Sequence, residues 1–387
     1  MAQRLRIFLT TSCLNTCMIS LYARESQQAG DEDILLIDRI PMRASTTDSI
    51  QRVSALHAFS NSWDFSAPMG NPASFRPSFR KRWTRRLKTQ PGFKQVYDFL
   101  YRRQQRKEIE VWVGRLQEKV LALAGTYDSV EIISQPMIRL LPSLRGLFPQ
   151  AQVRFFEHGL GDYIDITDKL KPGDQFQALF GETFQRFRKE QGEDAGPIVP
   201  LKLDFGACLV DFQRVFPEVA PALAALPREL PWVLVATQPL EEFQVPNRYW
   251  DRFLGLMLAD LPAQESFLFL IKPHPRQAMD ICQYMVDFLT RQGHQALIWE
   301  QPETRFLSLE ILFAWLGEHC RGVYSPFSSS IFYLSQLYPQ AQMPFGYSIE
   351  SLQGYDRLAP PLIRKRWQAL SRFIEGVFGE KARNLGR

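Results

Sequence analysis

Short apolar runs alternate with amphipathic stretches along most of this chain. Eight runs have the length and apolarity of buried strands: residues 6–9, 34–37, 129–133, 152–156, 232–236, 267–271, 296–299 and 322–324. Helical patterns separate them, most clearly at 94–124, 249–261, 279–292 and 307–318. Strands that alternate with helices in this way predict parallel sheets with crossover helices, and therefore an α/β fold class.

A proline-rich segment at 216–231 separates the strand runs into two groups, and a length of 387 residues is typical of two domains. We predict two facing Rossmann-like domains with a cleft between them. The N-terminal domain would cover residues 1–215 and bind an acceptor, and 216–231 would be the linker or a short connecting helix. The C-terminal domain would cover 232–360, followed by a basic amphipathic helix at 361–387.

The composition is that of an ordinary globular protein that can bury a core, with 45% hydrophobic and 22% charged residues and a net charge of +5. The five cysteines are scattered and lack metal-site spacing, which indicates reduced thiols in the cytoplasm. The sequence contains no run of 18 or more apolar residues, so we expect no transmembrane helix. The expected location is the cytoplasm, free or peripheral on the inner face of the cytoplasmic membrane.

The positive charge is concentrated in Arg76–Lys107, which holds 12 basic residues against the single acid Asp98, with aromatic residues interleaved. The C-terminal region has a similar mixture. Such segments suit an anionic membrane surface or a polyanionic acceptor. The alternative is a solvated basic helix face whose aromatic residues belong to the core. No nucleic-acid recognition motif accompanies the charge, so we expect no nucleic-acid partner.

The stretch FFEHGLGDY ends an apolar strand in Glu157-His158-Gly159. Gly159 and Gly161 allow a tight turn and the close approach of a ligand. A carboxylate in this position can act as a general base on a sugar hydroxyl. The alternative interpretation is a helix cap or a turn with an ion pair.

The run at 267–271 ends abruptly in Lys272-Pro273-His274-Pro275. The two prolines stop the strand and remove two backbone donors, so His274 is held at the carboxyl end of a strand. Ligands bind at such ends in open α/β sheets. The ordinary alternative is a proline turn that merely exposes His274.

Three consecutive serines, Ser328 to Ser330, precede an apolar helix, and Glu310 lies near the start of an earlier amphipathic helix. Hydroxyls and free backbone N–H groups at a helix start form an anion site that suits phosphate. A plain N-cap requires only one serine, so the triple run favours the phosphate interpretation.

The order of these motifs resembles that of the bacterial sialyltransferases and polysialyltransferases, which carry an acid-acid-Gly, a His-Pro and a serine motif on a GT-B fold. The resemblance covers the motifs and the layout of both halves rather than every residue. It implies that Glu157 is the general base that deprotonates the acceptor hydroxyl. His158 replaces the second acid of the family motif, and Asp162 is therefore the substitute candidate for the base.

The same resemblance implies a nucleotide site in the second half. His274 would contact the donor phosphate and assist the departure of CMP, and Ser328 and Ser329 would hold that phosphate. Glu310 would bind the ribose hydroxyls of cytidine. The remaining nucleotide-binding residues would be Lys272 and Pro275.

The implied activity is an inverting, metal-independent glycosyltransferase without a cofactor. It would move sialic acid or a related nonulosonate from the CMP-activated donor to a cell-surface glycan or glycolipid. Other candidates are a CDP-glycerol-type glycerophosphotransferase, a CMP-Kdo transferase, and a membrane-surface or polyanion-binding protein on an inactive glycosyltransferase scaffold. Glu157 would be ionised at pH 7 unless burial raises its pKa.

Overall fold

The computed structural model describes residues 3–38, 44–64, 110–120, 127–348, 372–376 and 382–385, except for short gaps. The gaps are 111–112, 115, 137, 139, 158, 160–161, 167–169, 195, 239, 241–247, 275–276, 302–303, 305–306, 317–318 and 327. Arg76–Lys107, His158, Pro275 and most of the predicted C-terminal helix lie outside the described residues.

The first sheet has seven strands: β1 Arg4–Thr10, β2 Asp31–Ile37, β3 Asn61–Asp64, β4 Ser129–Ser134, β5 Gln152–Phe156, β6 Gln175–Ala178 and β7 Ile198–Pro200. Its order is β3-β2-β1-β4-β5-β6-β7, and the pairs from β3 to β5 are parallel. The helices of this half are α1 Cys13–Ser26, α2 Ala44–Ser54, α3 Leu141–Leu147, α4 Asp162–Asp165 and α5 Gly181–Glu190.

The second sheet has six strands: β8 Trp232–Ala236, β9 Leu268–Lys272, β10 Gln295–Ile298, β11 Cys320–Ser325, β12 Phe345–Tyr347 and β13 Ala382–Asn384. Its order is β10-β9-β8-β11-β12-β13, and every neighbouring pair is parallel. Its helices are α6 Leu209–Val215, α7 Val219–Ala224, α8 Arg248–Asp260, α9 Met279–Arg291, α10 Leu309–Leu312 and α11 Ser329–Leu337.

Strand order reverses once in each sheet, between β1 and β4 and between β8 and β11. Each sheet therefore has the Rossmann order, in which the chain starts at the centre, moves to one edge and returns to build the other side. Ligands bind at this reversal, outside the carboxyl ends of the strands. In the second sheet Thr237 directly follows β8, and β11 ends at Ser325, three residues before Ser328.

The central strands form because their sequences are almost continuously apolar. All residues of β8 and β9 are buried, as expected for parallel strands covered on both faces. The covering helices α8 and α9 contribute large apolar side chains to one core cluster, including Trp250, Phe253 and Met285. This packing fixes the strand ends at which the polar residues are displayed.

Contacts divide the chain into two compact units. The first contains Met1–Phe156 and Lys171–Phe176, and the second contains Glu157–Leu170 and Gln177–Arg387. Glu157 and the described residues of the His-Pro and serine motifs therefore belong to the same unit. The proline-rich segment contains the short helix α7.

All eight predicted strand runs are strands, and β5 and β8 have the predicted bounds. The prediction of a helix through 361–387 is wrong for Ala382–Asn384, which form β13 and pair in parallel with β12. The backbone of β12 offers an edge there, and the N–H of Leu385 donates to the carbonyl of Tyr347 at 2.7 Å. Burial of Leu385 in the core favours this strand over a helix.

The composition predicted reduced cysteines and no transmembrane helix. The five cysteines are buried and form no disulfide in the described part of the chain. Among the helices that the structure describes, none combines the length and the apolar character needed to cross a bilayer.

Candidate active site

Glu157 follows the last residue of β5 and its side chain is completely buried. Its Oε2 accepts a hydrogen bond from the hydroxyl of Tyr163 and another from the backbone N–H of Leu179, at 3.3 Å. Its own N–H donates to the carbonyl of Gln177 at 3.3 Å. The carboxyl group predicted to be a base is therefore held by both side-chain and backbone contacts.

Burial raises the pKa of Glu157 to about 8, because a charged carboxylate is poorly solvated inside the protein. The hydrogen bond from Tyr163 opposes this rise, whereas the negative charge of Asp162 adds to it. The N–H of Leu179 and the hydroxyl of Tyr333 also favour the ionised form. Glu157 is thus mostly protonated at pH 7, unlike the ionised base expected for an unshifted carboxyl.

The turn after Glu157 brings the acid motif against the serine motif. The N–H of Asp162 donates to the carbonyl of Gly159 at 2.9 Å, and Asp162 is buried at the first position of α4. A Cβ added to Gly159 would lie 3.7 Å from Oγ of Ser329. The two motifs, separated by about 170 residues in the sequence, are therefore close enough that a single added methyl group on Gly159 would touch Ser329.

Helix α11 begins at the serine motif, directly after β11. The Ser328 side chain caps this helix by accepting from the N–H of Ser330 at 3.3 Å. The Ser328 N–H donates to Oγ of Ser325, the last residue of β11, at 3.2 Å. The ordinary N-cap interpretation is thus correct for Ser328, while all three serines of the run remain partly exposed.

Glu310 lies in the one-turn helix α10 and is buried. Burial raises its pKa, and hydrogen bonds from Ser330 and Ser308 oppose the rise. Its backbone carbonyl accepts from the hydroxyl of Tyr338 at 2.7 Å. The structure thus brings Glu310 to the start of α11, where its side chain contacts a serine of the predicted phosphate site.

The His-Pro motif follows β9 as predicted. The His274 N–H donates to Oγ1 of Thr237 at 2.9 Å, and its carbonyl accepts from the N–H of Gln277 at 2.8 Å. Lys272 is buried, and its Nζ donates to the carbonyl of Thr304 at 3.0 Å. Lys272 therefore fixes the loop after β10, while His274 is half-buried at the carboxyl edge of the sheet.

Strand order places the second-half motifs side by side. Strand β8 separates β9 from β11, and adjacent strands lie roughly 4.8 Å apart, so the ends of β9 and β11 are about 10 Å apart. His274 and Thr237 on one side and Ser325 with Ser328–Ser330 on the other therefore flank the reversal of strand order.

The sequence matches no family model, and no curated protein matches it significantly. Solved structures are similar in fold. The UDP-GlcNAc 2-epimerase of Methanocaldococcus jannaschii, in complex with UDP-GlcNAc and UDP, superposes with a TM-score of 0.51 at 10% identity, over 98% of this chain and 94% of that one. A candidate UDP-N-acetylglucosamine 2-epimerase of Listeria monocytogenes gives a TM-score of 0.50 at 10% identity, over 100% and 93%. This chain has a GT-B-type fold.

The GT-B-type fold confirms the predicted class and explains the two Rossmann-ordered sheets. At these identities the likeness concerns the fold alone. The resemblance to sialyltransferases is finer than this class and depends on the motifs themselves.

Sequence reasoning missed the residues that contact Glu157 and His274 in this GT-B-type chain. These are Tyr163, Tyr333 and Thr237. Tyr163 is six residues beyond Glu157, and Thr237 directly follows a predicted strand. Their positions in the sequence could therefore have identified both as site residues. Tyr333 lies within an apolar helix and looks like an ordinary core residue.

One Asp-x-Asp sequence, Asp31-Glu32-Asp33, has the spacing that metal-dependent glycosyltransferases use. It lies within β2, and its aspartates form ion pairs with Arg4 and Arg6, at 2.6 Å each. These carboxylates therefore serve the charge network of the first sheet. Among the described residues, no group of three His, Cys, Asp or Glu side chains could hold a metal ion.

Proposed function

We propose that this GT-B-type protein is a nucleotide-sugar-dependent glycosyltransferase whose donor is a CMP-activated sialic acid or a related nonulosonate. The observation that carries the proposal is the proximity of the acid motif to the helix that begins at the serine motif. Glu157 and Gly159 adjoin the start of α11, which also carries Tyr333 beside the Glu157 carboxyl. A proton acceptor beside an anion-binding helix start suits a transfer in which a phosphate group departs.

Support for the donor phosphate comes from the carboxyl edge of the second sheet. The N-terminus of the nine-residue helix α11 offers backbone N–H groups and serine hydroxyls, which favour a phosphate. His274 is presented at the end of β9 by its hydrogen bond to Thr237. An imidazole and hydroxyl groups can stabilise the charge that develops on a departing phosphate without a metal ion.

In the proposed reaction the acceptor hydroxyl attacks the anomeric carbon of the keto-sugar. A new carbon–oxygen bond forms, and the bond between that carbon and the CMP phosphate oxygen breaks. CMP leaves with the electron pair, and Glu157 takes the proton of the hydroxyl. Direct attack from the opposite face inverts the anomeric centre. Asp162, which is buried beside Glu157, is the alternative base.

The raised pKa of Glu157 gives this proposal a pH signature. A base must be ionised, so the ionised fraction of Glu157, and with it kcat/KM, should rise with pH up to about 8. Replacement by glutamine should abolish that limb along with most of the activity, because an amide cannot accept the proton.

A calorimetric titration with CMP, CDP-glycerol, UDP and UDP-GlcNAc tests the nucleotide preference. We expect micromolar CMP binding that is lost in His274→Ala and retained in His319→Ala. His319 is an exposed histidine at the opposite, amino edge of the sheet and provides the matched control. Preference for CDP-glycerol would instead favour the glycerophosphotransferase, and preference for UDP-GlcNAc would favour a UDP-sugar enzyme.

A transfer assay with CMP-activated keto-sugars then tests the reaction, with Glu157→Gln as the inactive control. CMP-sialic acid, other CMP-nonulosonates and CMP-Kdo should be compared as donors. Release of CMP that depends on both acceptor and Glu157 supports the proposal. Failure of all nucleotides to bind would overturn it and leave a surface-binding protein as the alternative.

The proposal assigns the acceptor, a glycan or glycolipid, to the first half of the chain. The basic segment Arg76–Lys107 would attract the acceptor or an anionic membrane surface, although it lies outside the described residues. Binding to vesicles with and without anionic lipid, at low and high salt, would separate these roles, because membrane attraction of this kind is screened by salt.

A further inference from the structure

We propose that Tyr163 is a positioning residue for Glu157, and that its hydroxyl, fixed by a backbone N–H and by the ring of Phe373, orients the carboxyl that accepts the proton. This inference rests on the proposed function for the identity of that proton. The geometry that supports it lies entirely within the second contact unit.

The hydroxyl of Tyr163 has its hydrogen-bonding directions determined by its neighbours. Its oxygen accepts from the backbone N–H of Phe180 at 3.1 Å, and its proton is donated to Oε2 of Glu157. A phenol has one proton to give. Because the Phe180 N–H can only donate, that proton is directed at the carboxyl, where it stabilises the ionised form.

The ring of Tyr163 is held by an aromatic cluster. Phe373, from the helical segment at 372–376, stacks on it with ring centroids 5.0 Å apart and planes at 20°. Phe184 packs edge-on against Tyr163 at 5.0 Å and against Phe373 at 5.5 Å. The C-terminal segment thus contributes directly to the support of the candidate base.

The fit of this C-terminal segment is close. Phe373 is buried, and it contacts Phe187 edge-on at 5.7 Å. A Cβ on Gly376 would lie 2.8 Å from a ring carbon of Phe187, so a larger residue there would require the Phe187 ring to shift. Phe373 therefore has a fixed place from which to hold the Tyr163 ring in one orientation.

Three described ionisable groups act on Glu157. Tyr163 and Asp162 belong to α4, and Tyr333 approaches from α11. The phenols stabilise the carboxylate, whereas Asp162 opposes it. The negative charge of Glu310 acts on Tyr333. Removal of the Tyr163 hydroxyl should consequently make Glu157 harder to ionise.

The test measures the pH midpoint of Glu157 ionisation. The infrared band of the protonated carboxyl reports the ionisation, and subtraction of the Glu157→Gln spectrum identifies this band. In Tyr163→Phe, which keeps the ring, we expect the midpoint to rise by about one pH unit, in line with loss of a hydrogen bond to a charged group. Site-specific 3-fluorotyrosine at position 163 has a more acidic, better-donating hydroxyl and should lower the midpoint.

The Glu157 midpoint should shift in opposite directions in the two Tyr163 variants if the hydroxyl positions the carboxyl. A ring with a purely structural role would not produce opposite shifts. Tyr284→Phe is the matched control, because its hydroxyl donates to the Asp251 carboxylate at 2.5 Å elsewhere in the fold. In Tyr284→Phe the pH midpoint of Glu157 should equal that of the unmodified protein. If Tyr163→Phe fails to fold, the fluorotyrosine protein provides the decisive measurement.

An unchanged midpoint in both Tyr163 variants would overturn the inference. The measurement uses no substrate, so it separates this inference from the proposed function. Shifted midpoints without any transfer from CMP-activated sugars would reject the function and keep the role of Tyr163. Transfer without shifted midpoints would keep the proposed function and reject the role of Tyr163. Where transfer occurs, Tyr163→Phe should lower kcat and leave the KM for the donor unchanged.

Discussion

Replacement of Glu157 by glutamine should remove a large pH dependence from the stability of the protein. The folded chain holds this carboxyl at a pKa of about 8, against an ordinary value of 4.5, mainly because the group is buried. Between these values the unfolded chain releases a proton that the folded chain keeps. Stability is therefore full below pH 4.5 and decreases as the pH rises towards 8.

The size of the effect follows from the same two values. Each pH unit between them costs the folded state about 1.4 kcal/mol, so the whole interval costs on the order of 5 kcal/mol. That is a large share of the roughly 5–15 kcal/mol by which a domain is stable. Glu310, whose pKa is also raised by burial, adds a contribution of the same sign.

Urea denaturation at pH 5, 6, 7 and 8 measures this effect in the original protein and in Glu157→Gln. As the pH rises, the free energy of unfolding of the original protein should fall relative to that of Glu157→Gln. Glu182→Gln is the control, because Glu182 is an exposed glutamate. Its free energies should run parallel to those of the original protein. Parallel lines for Glu157→Gln as well would refute the reasoning about burial.

Two further predictions concern the scaffold. Asp33→Asn should cost roughly 3 kcal/mol in urea denaturation, because buried Arg6 would lose its nearer charge partner at 2.6 Å and keep Asp31 at 3.5 Å, while buried His57 would lose its carboxylate partner; a loss below 1 kcal/mol would contradict this. Gly181→Ala should destabilise by about 1–3 kcal/mol, since the new Cβ would lie 2.9 Å from Cα of Pro200. Gly255→Ala is its matched control: it has open space within α8 and should stabilise by about 0.5–1 kcal/mol.

The buried strands were predictable because burial on both faces requires an apolar sequence. Strand β8, WVLVA, is an example, and its predicted bounds are those of the structure. Strand β3, NSWD, was missed, since it is only half-buried and its residues are mostly polar. The three residues of β13 form a strand only through pairing with β12, a contact that no local pattern encodes.

The positions of the motif residues were predictable for a related reason. A buried strand must end where its apolar run ends, so Glu157 and His274 could be assigned to strand ends from the sequence. Their environments could not. Glu157 is completely buried and interacts with Tyr333 of α11, a distant part of the chain, and this burial changes its protonation at pH 7.

Helix geometry nevertheless links the two parts of the site. Ser329 and Tyr333 are four residues apart in α11 and therefore share one helix face. Ser329 lies close to Gly159, and Tyr333 acts on Glu157, so this single face lies beside both of these residues of the acid motif. Any movement of α11 that accompanies phosphate binding at its N-terminus would also move Tyr333 relative to the carboxyl. The ionisation of Glu157 should therefore respond to a bound nucleotide, and the pH midpoint measured with and without CMP would detect that coupling.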